Sequence, residues 1–255
     1  MSTLRIANCS GFYGDRISAA KEMVDGGTID VLTGDYLAEL TMLVLWKNRQ
    51  RDESSGFATS LLTQMDETLT VCLERGTKIV VNAGGLNPSG LALQLGKLAA
   101  GRGVHPRIAY IEGDDLLPRL PELQRAGHHF THLDTGVDLA DARVEPVTAN
   151  AYLGAWGIVE ALKAGADIVV CPRVTDASLV VGPAAWAFDW KPNDWDRLAG
   201  AVTAGHIIEC GPQATGGNFS FFTEIPNRVR PGFPIAEMHP DGGCVITKHP
   251  GTGGM

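Results

Sequence analysis

The chain has 255 residues, 44% of them hydrophobic and 20% charged, enough apolar material for a large core and too little charge for a disordered chain. With 21 basic against 29 acidic residues the net charge is −8, and no lysine or arginine run stands out, which speaks against nucleic-acid partners and an anionic membrane. No stretch nears the roughly 20 apolar residues of a membrane helix, no signal-peptide pattern precedes the first strand, and the scattered Cys9, Cys72, Cys171, Cys210 and Cys244 form no paired framework, so a cytoplasmic protein is expected.

Leu4 to Ser10 reads as a first strand that runs into a glycine turn, followed by a short helix over 18–24. Ile29 to Thr33 is a second strand, ending at Gly34 and Asp35. Residues 36–46 then form a strongly apolar helix with a charged tail. A helix apolar on most faces is buried or lies in a subunit contact, and a homo-oligomer is expected. A helix over 60–74 leads to the third strand, Ile79 to Val81, whose β-branched run is the mark of burial on both faces. Gly84 and Gly85 follow at once, and Asn87-Pro88-Ser89 starts the helix over 90–100 with a capping side chain and a proline in its first turn. Arg107 to Glu112 is the fourth strand, followed by a helix over 116–125 and a polar connection that holds a short strand near 131–133. Asn150 reads as the N-cap of a helix over 151–164, and Ile168 to Cys171 is the fifth strand, running into Pro172-Arg173-Val174-Thr175-Asp176. Beyond Trp186 come a turn-rich linker, a helix over 195–204, and a run rich in glycine, proline and aromatics. The glycine-rich stretch 249–255 reads as an unfinished turn of a longer protein.

Five apolar strands, each ending in a polar turn that leads into a helix, define an α/β fold. The expected architecture is a doubly wound, largely parallel, Rossmann-like sheet of five to seven strands over 1–188, with 189–255 as a loop-rich covering segment of the same domain. An incomplete β/α barrel is the alternative, because five βα units are visible where a closed barrel uses eight.

Ligands of such sheets meet the carboxyl ends of the strands, and polar residues gather there in four sets. Asn82, Gly84, Gly85, Asn87 and Ser89 form a candidate substrate cradle, in which backbone amides at a helix start face a phosphate or carboxylate. The same residues also make an ordinary glycine turn and cap. Neither the dinucleotide nor the P-loop pattern is present, so no nicotinamide or flavin cofactor is expected. Asp35 and Glu39 share one side of a helix start, as a proton-handling pair or as dipole compensation. Glu112, Asp114 and Asp115 are three acids in four residues, suited to proton transfer or to a hard divalent cation such as magnesium. Arg173, Thr175, Asp176 and Ser178 make the fourth set: Arg173 is placed to hold an oxyanion or carboxylate or to pair with a rim acid, while Asp176 binds substrate or caps a helix. His128, His129 and His132 read as surface residues. Glu209 argues against a lowered Cys210 thiol pKa, and Cys210 reads as buried structure.

Several strings resemble the acyclic terpene utilisation (AtuA) family. They are Ser10-Gly-Phe-Tyr-Gly-Asp-Arg16, Leu32-Thr-Gly-Asp-Tyr-Leu-Ala-Glu-Leu-Thr41, Asn82-Ala-Gly-Gly-Leu-Asn-Pro88, Glu112-Gly-Asp-Asp115, Arg173-Val-Thr-Asp-Ala-Ser178, Gly205-His-Ile-Ile-Glu-Cys210, Ala214-Thr-Gly-Gly-Asn218 and Lys248-His-Pro-Gly-Thr-Gly-Gly254. The resemblance spans essentially the whole chain. It implies a place in bacterial catabolism of citronellol- and geraniol-like compounds, whose branched acids are processed as coenzyme A thioesters. It transfers no catalytic residue. The expected activity is hydratase- or lyase-type proton chemistry on a branched acyl-CoA or related carboxylate. Glu112, Asp114 and Asp35 would handle the proton, Arg173 the oxyanion, and Asp115 and Asp176 would join the cradle in binding the substrate. The alternative is a non-catalytic binding or assembly subunit that meets a partner enzyme through Leu40 to Trp46.

Overall fold

The computed structural model describes residues 2–225 and 227–255; Met1 and Pro226, the latter in the C-terminal proline-rich run, lie outside it. Seven strands form one open sheet among the described residues: β1 (Leu4–Asn8), β2 (Val31–Gly34), β3 (Lys78–Val81), β4 (Ile108–Tyr110), β5 (Ile168–Val170), β6 (Pro234–Met238) and β7 (Cys244–Lys248). Their spatial order is β4-β5-β3-β2-β1-β6-β7. The first five are mutually parallel, β6 pairs antiparallel with β1, and β7 pairs antiparallel with β6.

The helices are α1 (Ala19–Asp25), α2 (Glu39–Arg49), α3 (Ser60–Arg75), α4 (Pro88–Gly101), α5 (Leu120–Arg125), α6 (Trp156–Lys163), α7 (Ser178–Ala187) and α8 (Trp195–Ile208). Strand side chains alternate between faces. Ala7, Leu32, Ile79, Val81, Ile168 and Val170 therefore pack on one face with residues of α1, α3 and α4. Leu4, Ile6, Val31, Val80 and Val169 pack on the other with α6, α7 and α8. The two cores follow from the path of the chain. From β1 to β4 it advances in one direction across the sheet, and it reverses to reach β5. Right-handed crossovers place the connecting helix on the opposite face after such a reversal, which is where α6 lies.

The core strands and helices follow the hydrophobic pattern, and the differences from expectation sit at the carboxyl-end rim. The helix expected over 151–164 begins only at Trp156, because Asn150 and Leu153 are drawn into isolated β-bridges with Asp115 and Val174. Asn150 is thus a pairing residue and not a cap. The apolar helix expected from Tyr36 begins at Glu39, because the Tyr36 and Leu37 amides are held in the turn by the side chains of Asn82 and Asp35. No strand forms at 131–133, where the chain runs as turns. Residues 189–255 contribute α8 and two strands of the main sheet as well as loops.

Helix α8 lies tightly over the start of α7. A Cβ at Gly205 would come within 2.6 Å of the Ala177 Cα, a backbone atom with no room to yield. Gly205→Val should therefore destabilise the fold by about 1–3 kcal/mol, the usual cost of overpacking. Urea unfolding followed by circular dichroism checks this, and an unchanged midpoint would mean that α8 can shift freely.

Candidate functional site

Five sheet-end segments and the end of α8 converge at the carboxyl-end rim. After β1, the buried Asn8 turns its amide onto the end of α8: Nδ2 donates to the carbonyls of Ile208 and of Glu209, the latter at 3.0 Å, while Oδ1 accepts from the Ser10 amide at 2.7 Å. After β2, Asp35 is 6% exposed. Its Oδ1 accepts from Asn82 Nδ2 at 2.7 Å and from the Leu37 amide at 3.0 Å, and Asn82 Oδ1 in turn accepts from the Tyr36 amide at 2.7 Å. Asn82 is fully buried and spends its side chain on locking the β2 turn to the end of β3.

After β5 stands Arg173, 5% exposed. Its guanidinium Nη1 donates to the Leu37 carbonyl at 3.1 Å and to Asp176 at 3.5 Å. Nη2 donates to the Tyr152 hydroxyl at 2.9 Å and lies 3.5 Å from Glu39 Oε1. The guanidinium also lies over the Tyr152 ring, 4.4 Å from its centroid, and the Tyr152 hydroxyl donates to Glu39. That bond holds the Glu39 carboxyl below its ordinary range. The Arg173 amide donates to Asp114 Oδ2 at 3.2 Å, where Asn150 Nδ2 also donates at 2.8 Å. Burial raises the Asp114 carboxyl despite these bonds.

Beside Arg173, carboxylate oxygens of Asp35, Asp176 and Glu209 lie within 4.8 Å of one another. Glu209 Oε2 is shut away from solvent and has no hydrogen-bond partner among the described residues. Burial, and then the neighbouring Asp176, push the Glu209 carboxyl up to about 8. Burial pushes Asp35 up to about 6, against the bonds from Asn82 and Leu37. Three acids facing one cation carry excess negative charge, which one proton reduces and a hard divalent cation cancels, and three carboxylates are suitable oxygen ligands for such a cation.

The structure pairs Arg173 with Asp176 and brings Asp35 to within 4.8 Å of Asp176, with Asn82 bonded to Asp35 and Asp114 to the Arg173 amide. It sets the other candidates apart. Glu112 stands exposed just past the end of β4, and Asp115 is exposed with its Oδ1 on the Leu117 amide at 2.9 Å. The Gly84, Gly85 and Asn87 amides of the expected cradle are already engaged within the turn. Gly84 donates to the Cys171 carbonyl, Gly85 to Asn82, Leu86 to Gly56 and Asn87 to Gly84, and Asn87 Oδ1 accepts from the Gly90 amide. Gly85 is required by its φ of +52° and by Leu45 Cδ1, which would lie 2.3 Å from any Cβ. Ser89 Oγ lies 3.5 Å from Asn87 Oδ1. Cys210, expected to be buried, is exposed just past the end of α8.

Sequence reasoning missed Glu209 as a site residue. It lies 33 positions beyond Asp176 (209 − 176) on a different element, so no local spacing connects the two. The available signals were a polar Glu-Cys pair closing an apolar helix and an asparagine at the end of β1 in place of an apolar residue.

Fold and site together define an α/β protein of the open, doubly wound class with an ionisable crevice at the carboxyl ends of its strands. The family model described as acyclic terpene utilisation family protein AtuA matches residues 4–255, and the chain belongs to that family. No curated protein and no solved structure matches it significantly. Among the described residues no helix is long and apolar enough to cross a membrane.

Both pKa shifts in the trio run upward, so the folded protein holds these protons more tightly than the unfolded chain. Their stabilising effect is complete below the ordinary carboxylate range and is lost as pH rises through about 6 for Asp35 and about 8 for Glu209. Glu209→Gln removes the charge and keeps the shape. It should raise the melting temperature near pH 9 by about 2–4 °C and leave it unchanged near pH 5. Calorimetry across that range reads both limbs.

Proposed function

We propose that this protein is an enzyme of branched or acyclic terpenoid acid breakdown that acts on an acyl-CoA or related carboxylate by hydratase- or lyase-type proton chemistry. One observation supports this above the others: the Asp35, Asp176 and Glu209 carboxylates meet at the strand ends, and burial separates the pKa values of two of them. Two titratable groups pushed apart in this way are the usual basis of an acid and a base working together near neutral pH. Asp35 is the base and removes the proton next to the carbonyl. Glu209 is the acid and protonates the departing hydroxyl, so that a C–H and a C–O bond break, a C=C bond forms and water leaves. Hydration is the reverse. Arg173 has its η donors committed to the protein, so its part is to hold Asp176 and the Leu37 turn in place. We assign the proton to Glu209 in preference to Glu112, which stands exposed past the end of β4.

With a branched enoyl or 3-hydroxyacyl thioester, kcat/KM should peak near neutral pH, falling below about 6 and above about 8. Glu209→Gln should lower kcat by about 10²–10⁴-fold, the usual worth of a positioned acid. Glu112→Gln, assayed beside it, should retain most turnover, and the opposite ranking would move the acid to the β4 end.

A second measurement separates protons from metal. Turnover should survive dialysis against a chelator unchanged. Loss of activity that added magnesium restores would make the trio a cation site and remove the acid role from Glu209.

A further inference from the structure

The connection between β4 and β5 contains a loop, residues 129–146, in which no residue is buried. The loop is nonetheless held in shape by its own bonds. The His132 amide donates to the Val137 carbonyl and the Gly136 amide to the His132 carbonyl, both at 2.9 Å. Thr131 Oγ1 donates to Asp138 Oδ1 at 2.6 Å, and His129 Nδ1 lies 3.0 Å from Asp138 Oδ2. Among the described residues, the hydrogen bonds of 129–146 all stay within the loop. Phe130, Leu133, Val137 and Val144 face solvent, Leu133 with 100% of its surface. Asp134, Asp138, Asp141 and Glu145 outweigh Arg143 and make the loop acidic. Ordering a loop costs entropy that burial normally offsets, and long ordered loops without a core of their own are commonly functional.

A second exposed apolar surface carries the opposite charge. Between α8 and β6, Phe219, Phe221, Phe222 and Val229 are exposed. The Phe219 and Phe221 rings meet edge to face with centroids 5.6 Å apart, and the Arg228 guanidinium lies 5.5 Å from the Phe222 centroid. Arg228 and Arg230 outweigh Glu224, and neither has a carboxylate within ion-pair distance among the described residues. Both surfaces belong to the carboxyl-end rim, at opposite sides of the sheet. The acidic loop follows β4, one edge strand, and the aromatic patch precedes β6, which starts beside the carboxyl end of β1. Strand spacings of about 4.8 Å put the two strands roughly 24 Å apart.

We propose that the acidic loop of one copy of this chain docks on the aromatic, basic patch of a second copy. With two rims facing, a two-fold axis normal to the sheet carries the β4 side of each copy over the β6 side of the other. Both contacts then form together, as an isologous dimer requires. The rim between the two loops adds exposed Phe12, after β1, and Leu40, in the first turn of α2. Aromatic and arginine side chains set against aliphatic ones are the usual composition of a protein interface. A nucleic acid or an anionic membrane would suit the two arginines but be repelled by the acidic loop on the same rim. Asp35 follows β2 and Asp176 follows β5, inside the span between the loops, so the dimer shields the acid trio from solvent on that side.

Sedimentation equilibrium of the intact protein, without substrate, reads the association, and charge reversal identifies its surfaces. The wild-type chain should form a dimer whose Kd rises with salt. Asp141→Lys with Glu145→Lys reverses the loop, and Arg228→Glu with Arg230→Glu reverses the patch. These side chains are exposed, and circular dichroism checks that both variants fold. Either variant alone should raise the dimer Kd by about 100-fold or more, because like charges then face each other in both contacts. An equimolar mixture of the two should dimerise as the wild type does, since each contact of the mixed dimer is complementary again. A wild-type chain that stays monomeric at every concentration would overturn the proposal and leave the two surfaces to other proteins. A dimer indifferent to both reversals, or variants that do not recover on mixing, would put the interface elsewhere and overturn it as well.

Discussion

A guanidinium almost closed off from water has to find its counter-charges and hydrogen-bond acceptors within the protein, because an unpaired buried ion costs several kcal/mol. Arg173 is in that position, and the loops of the rim are arranged to meet the demand. The Leu37 carbonyl, the Tyr152 hydroxyl and the carboxylates of Asp176 and Glu39 take its side-chain donors. Asp114, held by Asn150, takes its amide. Segments from α2, from the loop after β4, from the stretch before α6 and from the turn after β5 are thus tied to one residue. Apart from Glu39, the first residue of α2, these partners lie outside regular structure, so the hydrophobic core does not dictate their course. The shape of the rim is set by this cation.

The same cation accounts for the electrostatics beside it. Its charge is divided among several acids, which leaves Asp35, Asp176 and Glu209 with more negative charge than one guanidinium can offset. The carboxyls under the greatest burial respond by rising in pKa. Asp35 rises less because Asn82 and the Leu37 amide stabilise its charged form, while Glu209 is raised by burial and by the neighbouring Asp176 and has a buried oxygen with no donor among the described residues. Unequal hydrogen bonding therefore turns similar side chains into groups of different acidity.

Most of the sheet was legible in the sequence, because strands buried on both faces are written as short β-branched runs and their turns as glycine and polar residues. Ile79 to Val81 and Ile168 to Cys171 are such runs. The family was legible for a related reason: its rim strings are long and local. The start of α6 was not, since Asn150 is a good cap by composition and only its distant partners Asp115 and Asp114 draw it into extended pairing. Of the site, Asp35, Asp176 and Arg173 could be placed at strand ends, but their mutual contact depends on the order in which the strands pack. Glu209 had no strand to mark it. Its position comes from α8 lying against Ala177 and from the hold of Asn8 on the helix end, which are contacts between residues far apart in sequence.

The pairing of β1 with β6 bears on how the chain is assembled. Arg5 lies opposite Glu237, 232 positions away, and the two also form an ion pair. Until residues 234–238 have been synthesised, β1 presents an open edge of unsatisfied amides and carbonyls, the kind of edge that recruits strands from other chains. Folding from the N-terminus can complete the five parallel strands first, yet the sheet remains exposed on that side for most of translation. The acid trio shares this delay, because Glu209 reaches it only after α8 has docked. The centre of the molecule is therefore made early, while its closed edge and its chemistry arrive late and together.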